Sequence, residues 1–484
     1  MISPEEAARR VRESGGEALC ERLEHLDRAR AARATATRAP PVSAPDRGAV
    51  ADYDVAIAGG GLWLLIAPLL AARGLKVAVL DRARIGSAHR EWNCSAKELS
   101  ALSASGLLTE DEVRSLVVAR YARGVCRWHG GGSYAVTNVL DHAVDAGELL
   151  AAVRARCEAR GVTLLDGQAV TAHAEGRDAV ALAVGAGAGS PTRTLTAKIL
   201  VDARGASSPF ATADLVCPTV GGVLEGLEEG EDEARIQPDV GEILATTEGI
   251  EDGRQHIWEA FPGRRGEVTV YLFYYALADA PGASLLSLYA RFFERMPLYK
   301  RGAFRLVRPT FGFIPGWSRL VPAPAPPGRR VVLVGDAAAR HSPLTFCGFG
   351  SALRSFALLA DVIARAVETG SAHEKALADA PIHAGTGALA RLMCTPSRSP
   401  ARANELNALL DTAFSTLHEM GDEAYGALLR DEMSPRDFIR FLRTTAARRP
   451  RVYRDVLGSL RLGALGRWGL GLVREIYREI EVPR

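Results

Sequence analysis

A glutamate set among bulky apolar side chains is the residue of this sequence best suited to acid chemistry. Glu259 stands in "HIWEAFPG", His256–Gly263, directly after Trp258. If that strand-like segment faces a closed interior, burial disfavours the carboxylate and leaves a protonated acid at neutral pH. The alternative is a glutamate on the wet face of a strand, paired with Arg264 or Arg265. A few residues on, "VYLFYYALA" (Val270–Ala278) carries Tyr271, Phe273, Tyr274 and Tyr275. Strand alternation sends Tyr271, Phe273 and Tyr275 to one side. With Trp258 they would line a tunnel or face a developing cation, or else form a plain sheet core.

A second group of residues has the spacing of a nucleotide cradle. In "YDVAIAGGGLWLLIAPLLAARGLKVAVLDR" (Tyr53–Arg82) a strand ends in Gly59, Gly60, Gly61 and Leu62, a helix follows, and a second strand ends in Asp81 and Arg82. Glycines at that turn let backbone amides approach a pyrophosphate, and the acid after the second strand accepts from a ribose. An acid there repels a 2′-phosphate. Leu64 replaces the third glycine of the usual pattern, and Pro68 is expected to bend the helix. A βαβ unit without nucleotide is the alternative.

Far along the chain, "VLVGDAAARHSPLTFCGFGS" (Val332–Ser351) ends a strand in Gly335 and Asp336. Asp336 would accept from a ribityl hydroxyl. Pro343 would stiffen the turn, and Cys347, Gly348, Phe349 and Gly350 would lie along an isoalloxazine ring, with a helix beginning near Phe349. Between the two, "LVDARGASSPFA" places Asp202 and Gly205 at another strand-to-turn junction, and Val170 lies in a strand after the helix Gly147–Arg160. A short loop after Asp81 holds "REWN", from which Arg90 would reach the pyrophosphate while Trp92 and Asn93 border the ring. Glu98 instead completes a capping box begun at Ser95. A nicotinamide cofactor requires no distal Gly-Asp, so the set implies FAD.

The elements that must position these residues follow from the same pattern. The 484 residues exceed one simple core. We expect an α/β chain of group A flavoprotein type: an N-terminal helix and linker over 1–50, a discontinuous Rossmann-type FAD-binding domain over 51–215 and 326–370, an antiparallel-sheet substrate domain over 216–325, and a helical C-terminal region over 371–484. A net charge of +2 gives no case for a nucleic-acid partner. Seven scattered cysteines, without a CxxC pair, read as reduced thiols in the cytoplasm and give no metal site. The charged N-terminus is not a secretory signal, and the longest apolar run, Gly59–Ala72, is too short to span a bilayer. The C-terminal stretch from Arg443 is basic and interleaved with Leu, Trp and Tyr. It suits either peripheral contact with an anionic membrane or a helical cover with a wet arginine face.

Five segments, "HREWNCSAKEL" (His89–Leu99), "HIWEAFPG", "FGFIPGW" (Phe311–Trp317), "GDAAARHSPLTFCGFGSALRS" and "NELNALLDTAFSTLHEMGDEAYGALLRD" (Asn404–Asp431), resemble the flavin-dependent lycopene cyclases of green sulfur bacteria and cyanobacteria. They are similar also to that branch's FAD-binding paralogues. The resemblance runs from about Tyr53 to about Trp468 and implies FAD and an apolar polyene substrate. It implies a redox-neutral reaction in which an end group is protonated, a ring closes and a proton leaves. Reduced flavin would stabilise charge, supplied with electrons by NAD(P)H or another reductant. Glu259 is the expected acid. Competing expectations are a redox flavoenzyme, reductase or monooxygenase, acting on an isoprenoid or another natural product, and a silent FAD-binding paralogue.

Overall fold

The computed structural model describes residues 2–31, 42–88, 91–186, 191–211, 213–251, 253–264, 266–318, 320–321, 328–338, 344–345, 347–372, 384–394, 400–451 and 462–481. At its centre the apolar run Tyr53–Ala58 forms a strand with Val55, Ala56 and Ile57 fully buried, as both faces of a parallel sheet require. It pairs in parallel with Val77–Asp81 on one side and Arg193–Asp202 on the other. Thr163–Asp166 adds beyond Val77–Asp81, and Val331–Leu333 joins the far end of Arg193–Asp202. The registers Ala58↔Leu80, Ala58↔Asp202 and Asp202↔Leu333 bring the carboxyl ends of these strands to one edge. An antiparallel arm, Ala169–Glu175 and Val180–Gly185, completes a 7-stranded sheet.

The segment after the glycine turn differs from the single bent helix expected. Leu62–Ile66 is a tight 3₁₀ turn, and the α-helix proper is Ala67–Ala72. Pro68 sits in that helix's first turn, where a missing N–H costs no hydrogen bond.

The second sheet has 8 strands. Leu215–Leu227, Glu267–Phe273 and Ile257–Pro262 run antiparallel, with Gly302–Gly316 laid along Leu215–Leu227. It reaches further back in the chain than expected. Arg123–Arg127 pairs with Val240–Ala245, and Ser133–Val136 pairs with Arg123–Arg127, so part of the segment assigned to the nucleotide domain builds this sheet.

Its two faces are covered differently. One face, with Trp258, Val270, Leu272 and Tyr274, packs under the helix Leu285–Tyr299. The N-terminal segment, expected as one helix, breaks at Gly16 into Pro4–Gly15 and Glu17–Ala31 and adds Ala7, Val11 and Leu23 to that core. The other face, with Ile257, Phe261, Phe273 and Tyr275, packs against Leu344 and the helices Ala384–Met393, Pro400–Met420, Asp422–Leu429 and Pro435–Arg448. All seven cysteines are free. Among the described residues no helix is long and apolar enough to cross a membrane.

Asp27 ties the N-terminal hairpin to the sheet. Its carboxylate accepts from the amides of Leu285 at 2.7 Å and Leu286 at 3.1 Å and from the Ser284 hydroxyl at 2.8 Å. It therefore satisfies first-turn donors and opposes the helix dipole. Asp27→Ala should lower stability by about 1 kcal/mol, read as a lower urea midpoint at unchanged slope.

Candidate active site

Three turns meet at the carboxyl edge of the parallel sheet. Gly59 has φ +119°, and a Cβ there would collide with the carbonyl of Ala203. Gly335 has φ +57°, and a Cβ there would strike the indole nitrogen of Trp63, just past the glycine turn. The place of a Cβ on Gly205 is 3.8 Å from the carboxylate of Asp336. The turns at Gly59, Gly205 and Gly335, far apart in the chain, thus close on one another. In front of Gly61 no heavy atom of the described residues stands within 4 Å of a Cβ position, which leaves room beside the turn. Leu62 and Trp63 border that space half-buried, and Arg82 is exposed at the rim.

Asp81 holds the turn. One carboxylate oxygen accepts from the Gly60 amide at 2.7 Å and the other from the Ala83 amide at 2.8 Å. Each keeps a lone pair for a ribose hydroxyl. These residues fit an extended dinucleotide. Leu64, in place of the third glycine, is fully buried, and close packing moves to Gly86, where a Cβ would stand 3.2 Å from Leu64. Trp63 and Gly86 were not singled out in the sequence, because neither fills a motif position.

Asp202 corrects an expectation. It is fully buried, and its carboxylate accepts from Arg204 N, Nε and Nη2 at 3.1, 3.0 and 2.7 Å and from the Ser208 hydroxyl at 2.6 Å. Four donors fill its acceptor capacity, so it builds the turn rather than receiving a ligand. The Val170 carbonyl is likewise taken by Arg204 Nη1 at 2.9 Å.

The helix Gly348–Thr369 starts at this edge, and among the described residues nothing stands within 4 Å of a Cβ position on Gly348. Its first amides form the positive end of the helix dipole. Trp92 lies beside it, ring to ring with Phe349 at 5.1 Å. Asn93 donates to the Tyr121 hydroxyl at 3.4 Å. Gly350 faces away from the open space: a Cβ there would run into the carboxylate of Glu98. Glu98 completes the expected capping box with Ser95 and binds Arg354 of the same helix. Gly350 therefore seats the helix on Glu98 and does not face a ring. Cys347 is the cap residue, its thiol pushed up to about 12 by burial. Arg90 and Pro343 lie outside the described residues.

Glu259 lies on the second sheet, directly opposite Tyr271 in register, with Ile257 opposite Phe273. Opposed residues share a face, so Glu259, Tyr271 and Phe273 point together toward the cluster containing Tyr275 and Leu344. The Tyr275 hydroxyl donates to the Leu344 carbonyl and so pins the loop after Asp336 onto this sheet. Glu259 is half-buried, and desolvation alone pushes its carboxyl up to about 8. Cys126, Cys217, Cys347 and Tyr275 lie within electrostatic reach of it. Among the described residues no hydrogen bond or ion pair reaches the carboxyl. Of the two partners considered from sequence, Arg264 binds Asp145 instead, and Arg265 lies outside the described residues. Trp258 is a correction. As Glu259's chain neighbour it faces the other side, stacked on Tyr299 at 4.7 Å and buried beside Phe292, and lines no part of this pocket.

No protein-family model matches the chain, and no curated protein sequence is similar to it. Solved structures do match. A geranylgeranyl bacteriochlorophyll reductase-like protein from Thermoplasma acidophilum is 16% identical, with 84% of this chain and 99% of that one covered at a TM-score of 0.55. The halogenase PltM, solved in complex with phloroglucinol and FAD, is 13% identical over 88% of this chain and 96% of its own, with a TM-score of 0.53. A flavoprotein/dehydrogenase from Cytophaga hutchinsonii is 13% identical, with 78% and 92% covered and a TM-score of 0.55. The chain has the fold of these flavoproteins. In that fold the parallel sheet carries the three turns and the second sheet carries Glu259.

The raised carboxyl has a signed consequence for stability. Its folded pKa of about 8 exceeds the ordinary 4.5, so the stability of the neutral form is complete below pH 4.5 and is lost as pH rises through 8. Glu259→Gln and the parent should melt together near pH 5, and near pH 9 the variant should melt several degrees higher.

Proposed function

We propose that this chain is an FAD-dependent enzyme of the lycopene-cyclase type, which closes a ring at the end of an apolar polyene without net redox change. The observation that carries this reading is the Glu259 carboxyl, without a partner among the described residues and pushed up to about 8 among apolar and aromatic groups. Protonating an unactivated alkene requires an acid that is uncharged at neutral pH and shielded from water. A site built for hydride or oxygen chemistry does not.

The glycine turn, Asp81, Asp336 and the start of the helix Gly348–Thr369 would hold FAD, as the geometry of the three turns supports. When bound and reduced, its ring would supply an electron-rich face beside developing positive charge. The remaining steps belong to side chains. Glu259 donates its proton to the terminal double bond, and the faces of Tyr271 and Phe273 stabilise the carbocation. The apolar wall excludes water that would capture the cation. The Glu259 carboxylate left behind is the nearby base for the proton that the closed ring sheds. One proton enters the substrate and one leaves it, so the reaction is balanced.

The second reading is a net oxidoreductase on an isoprenoid or another natural product, drawing on NAD(P)H or another reductant. It is favoured by the reductase-like and halogenase neighbours. A polyene would be collected at a membrane surface, and the helix Leu462–Glu481, which exposes Leu470, Val473 and Tyr477, is the part suited to peripheral contact.

Expression in a lycopene-accumulating bacterium tests the reading. Cyclised pigment is expected with the parent chain, whereas unchanged lycopene would rule out the cyclase. Glu259→Gln should cut product formation by at least about 100-fold while keeping bound flavin. Gly59→Val should lose the flavin absorbance of the purified protein, since its side chain has no room against Ala203.

A further inference from the structure

Four uncharged polar side chains on the Glu259 side of the second sheet have no part in the acid chemistry. Trp128, Thr246, Gln255 and Asn407 are 1%, 2%, 3% and 2% exposed. Ile257 and Glu259 share a side of the strand Ile257–Pro262, and Gln255 stands just ahead of that strand, with at most about 13 Å of chain between it and the acid. Thr246 follows Ala245, which pairs with Trp258, and Trp128 follows Arg127, the partner of Ala245 on its other side. Asn407 comes down from the covering helix Pro400–Met420. Trp128 belongs to the same apolar cluster as Ile257, Phe273, Tyr275 and Leu344.

The hydrogen bonds of this group do not close. Gln255 Nε2 donates to Asn407 Oδ1 at 2.5 Å, and the Thr246 hydroxyl donates to the same oxygen at 3.3 Å. Among the described residues, Gln255 Oε1, Asn407 Nδ2 and Trp128 Nε1 are buried without a partner. Turning the amides over does not cure this. One hydrogen bond between two amides always leaves the NH₂ of one and the oxygen of the other. Buried polar groups are seldom left so. Their complement both donates and accepts and carries no charge, which describes a hydroxyl. A recess of about 330 Å³ is lined by two of the four, Trp128 and Thr246, with His129 and Ser133 among others.

We propose that Gln255, Asn407 and Trp128 form a subsite for a neutral hydroxyl on the substrate. The substrate would then be an oxygenated polyene, with its reacting end at Glu259 and its hydroxyl held within about 13 Å of that end. This rests on the polyene reading above.

Tryptophan quenching of the purified full-length protein, titrated in detergent with lycopene and with a lycopene bearing one hydroxyl, tests it. The hydroxylated compound should bind about ten-fold tighter, the value of one extra satisfied hydrogen bond. Gln255→Leu with Asn407→Leu should bind both alike. Equal affinities in the parent would overturn the proposal and leave the group as a water site, and this comparison requires no variant to fold. A preference that survives in the double variant would place the hydroxyl elsewhere and also overturn it. If neither compound binds, the polyene reading falls and takes the subsite with it, whereas equal binding sinks the subsite alone.

Discussion

The active edge exists because backbone packs directly on backbone and ring where strands converge. Gly59 lies against the Ala203 carbonyl and Gly335 against Trp63. The strands beneath are locked by Gly59 N to the Leu80 carbonyl at 2.8 Å, Ala203 N to the Ala58 carbonyl at 2.8 Å and Val334 N to the Asp202 carbonyl at 3.1 Å. A side chain at either glycine would wedge the turns apart and move every group that follows from them. The helix beginning at Gly348 and the Leu344 loop beneath Tyr275 both leave from this edge, so the distance between the two sheets is set here.

Two carboxyls show how burial and bonding separate scaffold from chemistry. Asp202 is fully enclosed, but Arg204 and Ser208 give it four donors, so its charge is a fixed part of a turn. Glu259 has no donor among the described residues, and the cost of an isolated charge falls on its proton affinity instead. Burial alone does not separate the two; the donors around the carboxyl do.

Much of the site was legible because it is written in local pattern. The apolar runs ending in glycine or aspartate showed the strands and turns, the Ser95–Glu98 spacing showed the cap, and period-two alternation put Tyr271, Phe273 and Tyr275 on one face. What stayed hidden depends on residues brought in from elsewhere. Arg204 claims Asp202, Glu98 claims the space above Gly350, and Gly86 takes over the role of a missing motif glycine. Asn407, on a helix more than a hundred residues from Glu259, shows no signal until the fold lowers it over Gln255. Trp258 was different: alternation already placed it opposite Glu259, and only its kinship with other aromatics suggested the pocket. The strands Arg123–Arg127 and Ser133–Val136 join the second sheet through a parallel pairing that no neighbouring sequence announces.

Trp258 and Glu259 stand back to back on one strand, so the packing that fixes this stretch of backbone lies on the reverse side of the sheet. There the indole stacks on Tyr299, whose hydroxyl donates to Glu242 at 2.8 Å. The angle at which the strand presents Glu259 is thus tied to a layer on the opposite face, out of contact with anything the carboxyl meets.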